Sequence, residues 1–114
     1  MERKTSLALM AAACLAASSN AYAISGNDLI KWLPDYEQRS NFSSGMFLGY
    51  VSGVGELGAN ILFCLKPSVT RGQAAAIVAK YLRNHPESWQ EEASTLVVAA
   101  LEESFPCPKS AAKK

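Results

Sequence analysis

The chain of 114 residues is long enough for one small domain and too short for several. Eleven Lys or Arg residues and ten Asp or Glu residues leave a formal net charge of +1, with no basic stripe along the sequence. This balance gives no reason to expect nucleic acid or an anionic membrane as a partner.

Residues 1–23 have the layout of a secretory signal peptide. Arg3 and Lys4 precede an apolar run over 7–17, and Ala21-Tyr22-Ala23 forms an A-x-A cleavage site. The apolar run is too short to cross a bilayer as a helix. We therefore expect cleavage after Ala23, export to the periplasm and no membrane attachment afterwards. The alternative is a lipoprotein acylated at Cys14, although the large aliphatic residue usual three positions earlier is absent.

Two cysteines, Cys64 and Cys107, remain once the signal peptide is removed. In a small exported domain such a pair most often forms one disulfide, and two free thiols or an intermolecular link are the alternatives. The bridge would close a loop of about 43 residues, which the chain-entropy relation values at about 4 kcal/mol.

The first half of the exported chain predicts two helices. A capping cluster at 25–28 starts a short helix over 29–33, which Pro34 is expected to stop. A polar connection over 35–41 leads to a second helix from about Phe42 to Asn60.

The second half begins with a loop over 64–67, and Thr70 with Gln73 forms a capping box for a third helix. Its apolar face follows helical spacing and comprises Ala74, Ile77, Val78, Tyr81 and Leu82. Pro86 is expected to open a fourth helix. That helix is predicted to bury Trp89, Ala93, Leu96, Val97, Ala100 and Leu101 and to expose Glu91, Thr95 and Glu102.

These elements predict an all-α fold, a compact bundle of about four helices stapled by a Cys64–Cys107 disulfide. The domain is expected to span 24–108, and 109–114 to form a flexible basic tail.

The second helix is unusual because Gly45, Gly49 and Gly53 recur at intervals of four residues. Each glycine costs about 1 kcal/mol relative to alanine inside a helix, so a compensating contact is expected. One interpretation is a close crossing with another helix of the same chain. A second is a flat stripe for another chain, and a third is that residues 53–60 are not helical.

Catalytic chemistry is not indicated. His85 lies alone beside a proline, and a Cys64–His85 nucleophile pair would need a free thiol and a group to orient the ring. His, Cys and carboxylate residues do not cluster at metal-ligand spacings, and no phosphate-binding glycine loop is present. We expect a binding protein without a cofactor.

Five segments in order resemble one family. They are Ser25-Gly26-Asn27-Asp28-Leu29, Phe47-Leu48-Gly49-Tyr50-Val51-Ser52-Gly53-Val54, Cys64-Leu65-Lys66-Pro67-Ser68-Val69-Thr70 with Gln73, Lys80 to Glu87, and Ala99 to Pro108. Behind a signal peptide, this series is similar to the type VI secretion amidase immunity proteins of the Tai and Rap type. Members often carry a second cysteine pair, and the matching positions here hold Leu33 and Phe47. The resemblance implies that Cys64 and Cys107 form the remaining bridge.

The resemblance also implies a function. Such proteins are periplasmic, form dimers, and bind a peptidoglycan amidase delivered by sibling cells, covering its catalytic cleft. No family motif marks the contact residues. Exposed loop positions are therefore the candidates, and they are Arg39, Asn41, Glu56, Asn60, Lys66 and Arg71.

Two alternatives remain open. A small periplasmic acid-stress chaperone has a similar length, helical content and single disulfide, and would expose apolar surface when its carboxylates are protonated. An immunity-protein relative without a cognate toxin would keep the fold and have a different role.

Overall fold

The structure, a computed structural model, describes residues 23–109. Its helices are α1 (Gly26–Gln38), α2 (Phe42–Gly58), α3 (Arg71–Asn84) and α4 (Ala93–Ser104), and a 3-10 turn at Pro86–Ser88 precedes α4. The predicted signal-peptide residues up to Tyr22, including Cys14, and the tail beyond Lys109 lie outside the described part. Within residues 23–109 no helix is long and apolar enough to cross a membrane.

The predicted all-α fold and its bridge are confirmed. Cys64 and Cys107 form a disulfide that joins the segment after α2 to the segment after α4. The core is apolar, and no polar or charged residue of the described chain is buried in it. Leu33 and Phe47, which the resemblance aligns with a second cysteine pair, are both core residues.

The prediction that Pro34 stops the first helix is wrong. Helix α1 passes through Pro34 and ends at Gln38, so part of the expected 35–41 connection is helical. An internal proline costs about 3 kcal/mol because it removes one hydrogen bond and crowds the preceding turn. Packing on both sides of it offsets this cost, since Leu33 is buried and the Tyr36 ring lies 4.9 Å from the Phe47 ring.

Helix α2 begins at Phe42, as expected, after an Asn41 cap whose Oδ1 accepts from the Ser44 amide at 3.0 Å. The interpretation that residues 53–60 are not helical is wrong, because α2 continues to Gly58. The capping box of α3 is confirmed, with the Thr70 amide donating to Gln73 Oε1 at 2.8 Å. On α3, Ala75 and Ala79 are also buried, beyond the predicted face.

Helix α4 begins at Ala93, so the prediction that Pro86 opens it is wrong. The reason is that backbone groups of 89–93 pair with the start of α1. The Glu91 carbonyl accepts from the Gly26 amide at 2.9 Å, and the Ala93 amide donates to the Ile24 carbonyl at 2.7 Å. Trp89 therefore precedes α4 and is half-buried, with its indole Nε1 donating to the Leu82 carbonyl at 2.6 Å.

Gly26 allows this pairing because it has no side chain. A Cβ at Gly26 would overlap Leu96 and lie 2.8 Å from the Trp89 carbonyl oxygen. We predict that Gly26→Ala lowers the free energy of unfolding by about 2 kcal/mol, since backbone cannot move aside cheaply. Gly72→Ala is the matched control, because its Cβ would meet only Thr70 Oγ1 at 3.9 Å. Urea unfolding of both variants decides the point, and equal stability would contradict it.

Candidate functional site

Three large aliphatic side chains stand exposed where α2 ends. Leu57 is 83% exposed, Ile61 78% and Leu62 51%. They border a groove whose apolar floor includes Val54 on α2 and Val98 on α4. We call the three exposed residues and this groove the apolar surface. Contiguous exposed apolar area of this kind marks interaction sites in soluble proteins.

The turn that carries Ile61 and Leu62 is closed by its own backbone. The Leu62 amide donates to the Gly58 carbonyl at 2.8 Å, and the Asn60 amide donates to the Phe63 carbonyl at 2.7 Å. Asn60 has φ 64°, a left-handed conformation that Asn tolerates better than most residues. Asn60 therefore has a structural role in shaping the turn, whatever else it contacts.

Phe63 anchors the turn to the core. Its side chain is fully buried, and it packs so closely on Gly58 that a Cβ there would lie 2.8 Å from the Phe63 ring. The next residue, Cys64, is held by the disulfide and by its amide, which donates to the Phe105 carbonyl at 2.8 Å. The exposed side chains thus stand on a short turn that is held at both of its ends.

Four of the six predicted contact residues lie at this end of the domain. Glu56 and Arg71 form an ion pair of 3.5 Å between the end of α2 and the start of α3, and both side chains are about three-quarters exposed. Such an exposed pair contributes less than about 1 kcal/mol to stability. Asn60 is in the turn and Lys66 is exposed in the following loop. Glu56 and Arg71 border a separate groove between α2 and α3, whereas the polar residues that line the apolar surface are Ser94, Thr95 and Glu102.

The other two predicted residues are elsewhere. Arg39 caps the end of α1 and Asn41 caps the start of α2, so both lie one helix length, about 25 Å, from Gly58. The structure therefore separates the six candidates into two groups. Sequence reasoning missed Leu57, Ile61 and Leu62. The sequence signal that could have identified them is the apolar run Ile61-Leu62-Phe63 directly after α2. A turn this short can bury only one of these side chains, Phe63.

The glycines of α2 do not mediate a close crossing within the described chain. Gly45, Gly49 and Gly53 are exposed, and a Cβ on any of them would meet nothing within 4 Å among residues 23–109. The helix packs through its opposite face, which carries Phe47 and Val51. The interpretation as a stripe for another chain stays a prediction.

No group of three or more His, Cys, Asp or Glu side chains in the described residues is arranged to hold a metal ion. His85 stacks on Tyr81 with ring centroids 4.2 Å apart, and its Nδ1 lies 3.0 Å from Glu87 Oε1. Cys64 is in the disulfide, so the Cys64–His85 nucleophile pair has no thiol. The pKa of Glu87 is lowered mainly because its carboxylate accepts a hydrogen bond from the Glu87 backbone amide. The hydrogen bond with His85 is the second cause.

Comparison with known families gives one match. The sequence model of the family described as Rap1a immunity proteins matches residues 25–107, which run from the N-cap of α1 to the second cysteine of the bridge. No curated protein shows significant similarity to the chain.

The electrostatics predict resistance to acid. No carboxylate is fully buried in the described part, and protonation would weaken the Asp28 capping contact and the exposed Glu37–Arg83 and Glu56–Arg71 pairs by only about 1 kcal/mol each. Glu87, with its lowered pKa, contributes stability above its unfolded-state pKa that is lost as pH falls through the folded-state value. Because Glu87 is exposed, we expect only a small loss, and the helical circular dichroism signal should persist at pH 3. Loss of that signal, or release of monomers that bind unfolded clients, would instead favour the acid-stress chaperone.

Proposed function

Since this chain belongs to the Rap1a immunity protein family, we propose that it binds a peptidoglycan amidase effector of the type VI secretion system and blocks that enzyme's catalytic cleft. Membership in an immunity family indicates a non-catalytic inhibitor. Protection would follow from steric occlusion of the cleft, so the chain itself needs no catalytic group, metal or cofactor.

The observation that carries this proposal is the apolar surface. Protein interfaces have an apolar, well-packed centre and a polar rim, and a few central side chains provide most of the affinity. Leu57, Ile61 and Leu62 have the exposure expected of such a centre. Thr95 and Glu102 of α4 border the same groove and would act as rim groups, whose effect is chiefly on association rate and salt dependence.

The shape of the surface also suits occlusion. The turn over 59–63 is closed by hydrogen bonds within itself and anchored by buried Phe63. Little conformational entropy is then lost when the turn enters a cleft, which favours affinity. We infer that the exposed side chains of this turn enter the amidase cleft and that Glu56, Asn60, Lys66 and Arg71 contact its margin.

We place this activity in the periplasm. The A-x-A pattern at 21–23 and the apolar run before it support export. The disulfide agrees with this location, because such bridges persist in oxidising compartments and are rare in the cytosol.

We further propose a homodimer through the exposed face of α2. Gly45, Gly49 and Gly53 leave this face flat, and Phe42 at its start is 81% exposed. A helix that is apolar around its whole circumference is normally covered on all sides. In α2 Glu56 is the one charged residue, so a second copy crossing at the glycines would provide the missing cover.

The first test is inhibition of the captured enzyme. Purified oxidised chain 24–114 serves as bait in lysate from the strain that encodes it, with the type VI system active. We expect recovery of an amidase whose activity on peptidoglycan falls to background at equimolar chain.

Ile61→Asp should weaken inhibition at least tenfold, because a charge would be buried in the contact. Ala76→Asp, an exposed position on α3, is the matched control and should inhibit normally. Equal inhibition by both variants would contradict the assigned surface.

The dimer has a separate test. Light scattering during size-exclusion chromatography should give twice the mass of the mature chain. Gly49→Leu should raise the dimer dissociation constant at least tenfold, because a large side chain would hold the two helices apart. The variant should still fold, since nothing lies within 4 Å of that position in the described chain. A monomeric parent chain would disprove the homodimer, and a dimer unaffected by Gly49→Leu would place it on another face.

A further inference from the structure

The disulfide begins one residue after the turn that carries Ile61 and Leu62. Cys64 follows Phe63, the residue that anchors the turn bearing Ile61 and Leu62. From Cys64 to Thr70 the chain has no helix or strand, so the turn has no regular element on its C-terminal side. The turn is held to α2 by its hydrogen bonds to Gly58 and by buried Phe63, and its C-terminal side is held through Cys64.

Two links hold Cys64, and both lead to the end of the domain. One is the covalent bond to Cys107, and the other is the 2.8 Å hydrogen bond from its amide to the Phe105 carbonyl. Helix α4 ends at Ser104 and Phe105 packs against the core, but beyond Phe105 the residues Pro106 and Pro108 are exposed beside the half-buried Cys107. A chain end with so little burial frays when it is not tied down.

We propose that the Cys64–Cys107 bridge is a redox switch for partner binding: the oxidised chain presents the apolar surface in its binding conformation, and the reduced chain does not. In the reduced chain the helices remain, while the segment after Ser104 separates from Cys64 and the turn over 59–63 loses its fixed position. The effect on the amidase rests on the proposed function, and the effect on the turn does not. Export would then activate the protein, and a chain still in the reducing cytosol would stay inactive.

The bridge can be formed by ordinary thiol–disulfide exchange. The thiolate of one cysteine attacks the disulfide of an oxidised carrier and releases one carrier thiolate. The second protein thiolate then attacks the protein sulfur of the mixed disulfide and releases the other. The two protein thiols lose two protons and two electrons, and the carrier disulfide accepts the electrons. Both cysteines are half-buried rather than enclosed, so a carrier can reach them.

The first readout requires no effector. Amide hydrogen exchange is compared in the oxidised chain, the same chain reduced with dithiothreitol, and the Cys64→Ser/Cys107→Ser variant. Exchange of the Asn60, Leu62 and Cys64 amides should accelerate at least tenfold more than exchange in α3 when the bridge is absent. Val97→Ala, which weakens the core with the bridge intact, is the control and should accelerate both regions alike. Uniform acceleration in the bridgeless chain would overturn the proposal.

The second readout is binding. The double serine variant is used so that the amidase assay needs no added reductant. It should keep the far-ultraviolet helical signal and inhibit at least tenfold more weakly than the oxidised chain. Inhibition within twofold of the oxidised chain would overturn the switch. Loss of the helical signal would also overturn it, because the bridge would then hold the whole fold. If the oxidised chain itself inhibits no amidase, the proposed function fails, and the exchange experiment still decides whether the bridge controls the turn.

Discussion

Burial of Phe63 against Gly58 is the contact on which the proposed binding end depends. The ring occupies the space that a side chain at Gly58 would need, which brings the turn close to α2. This contact turns the chain at Asn60, leaves Ile61 and Leu62 outside, and brings Cys64 to within bonding distance of Cys107. Removing it would affect the surface, the bridge and the end of α4 together.

Exposure of Leu57, Ile61 and Leu62 to water is unfavourable in free energy, and a free monomer has no contact that offsets it. Burying a large aliphatic side chain is worth about 1.5 to 3 kcal/mol, and here that free energy is left for association. The arrangement is understandable in an immunity protein, whose effect depends on its affinity for a partner. Exposed apolar residues can also cause nonspecific association. The bridge and the buried Phe63 limit this effect by keeping Ile61 and Leu62 on a short, fixed turn.

Much of the fold was predictable from local chemistry. The Thr70–Gln73 capping box, the spacing of Ala74, Val78 and Leu82, and the core positions of α4 were all found where the pattern indicated. The disulfide was the expected state of two cysteines in a chain predicted to be exported. The candidate surface was harder. Loop position and polarity indicated Glu56 and Arg71, which the structure pairs, and equally indicated Arg39 and Asn41, which it places at the other end of α2.

By itself the sequence determined the helical class, the bridge and the family. Helical periodicity and capping depend on residues close together in the chain, and the two cysteines outside the predicted signal peptide allow one intramolecular pairing. Only the tertiary structure decided where α1 and α4 begin and end. Packing of Leu33 and Tyr36 carries α1 through Pro34, and backbone pairing with Gly26 delays α4 to Ala93. It also decided that Gly45, Gly49 and Gly53 face outward and that Ile61 and Leu62 stay exposed. Such outcomes depend on which surfaces meet across the fold, and the order of residues along one helix does not contain that information.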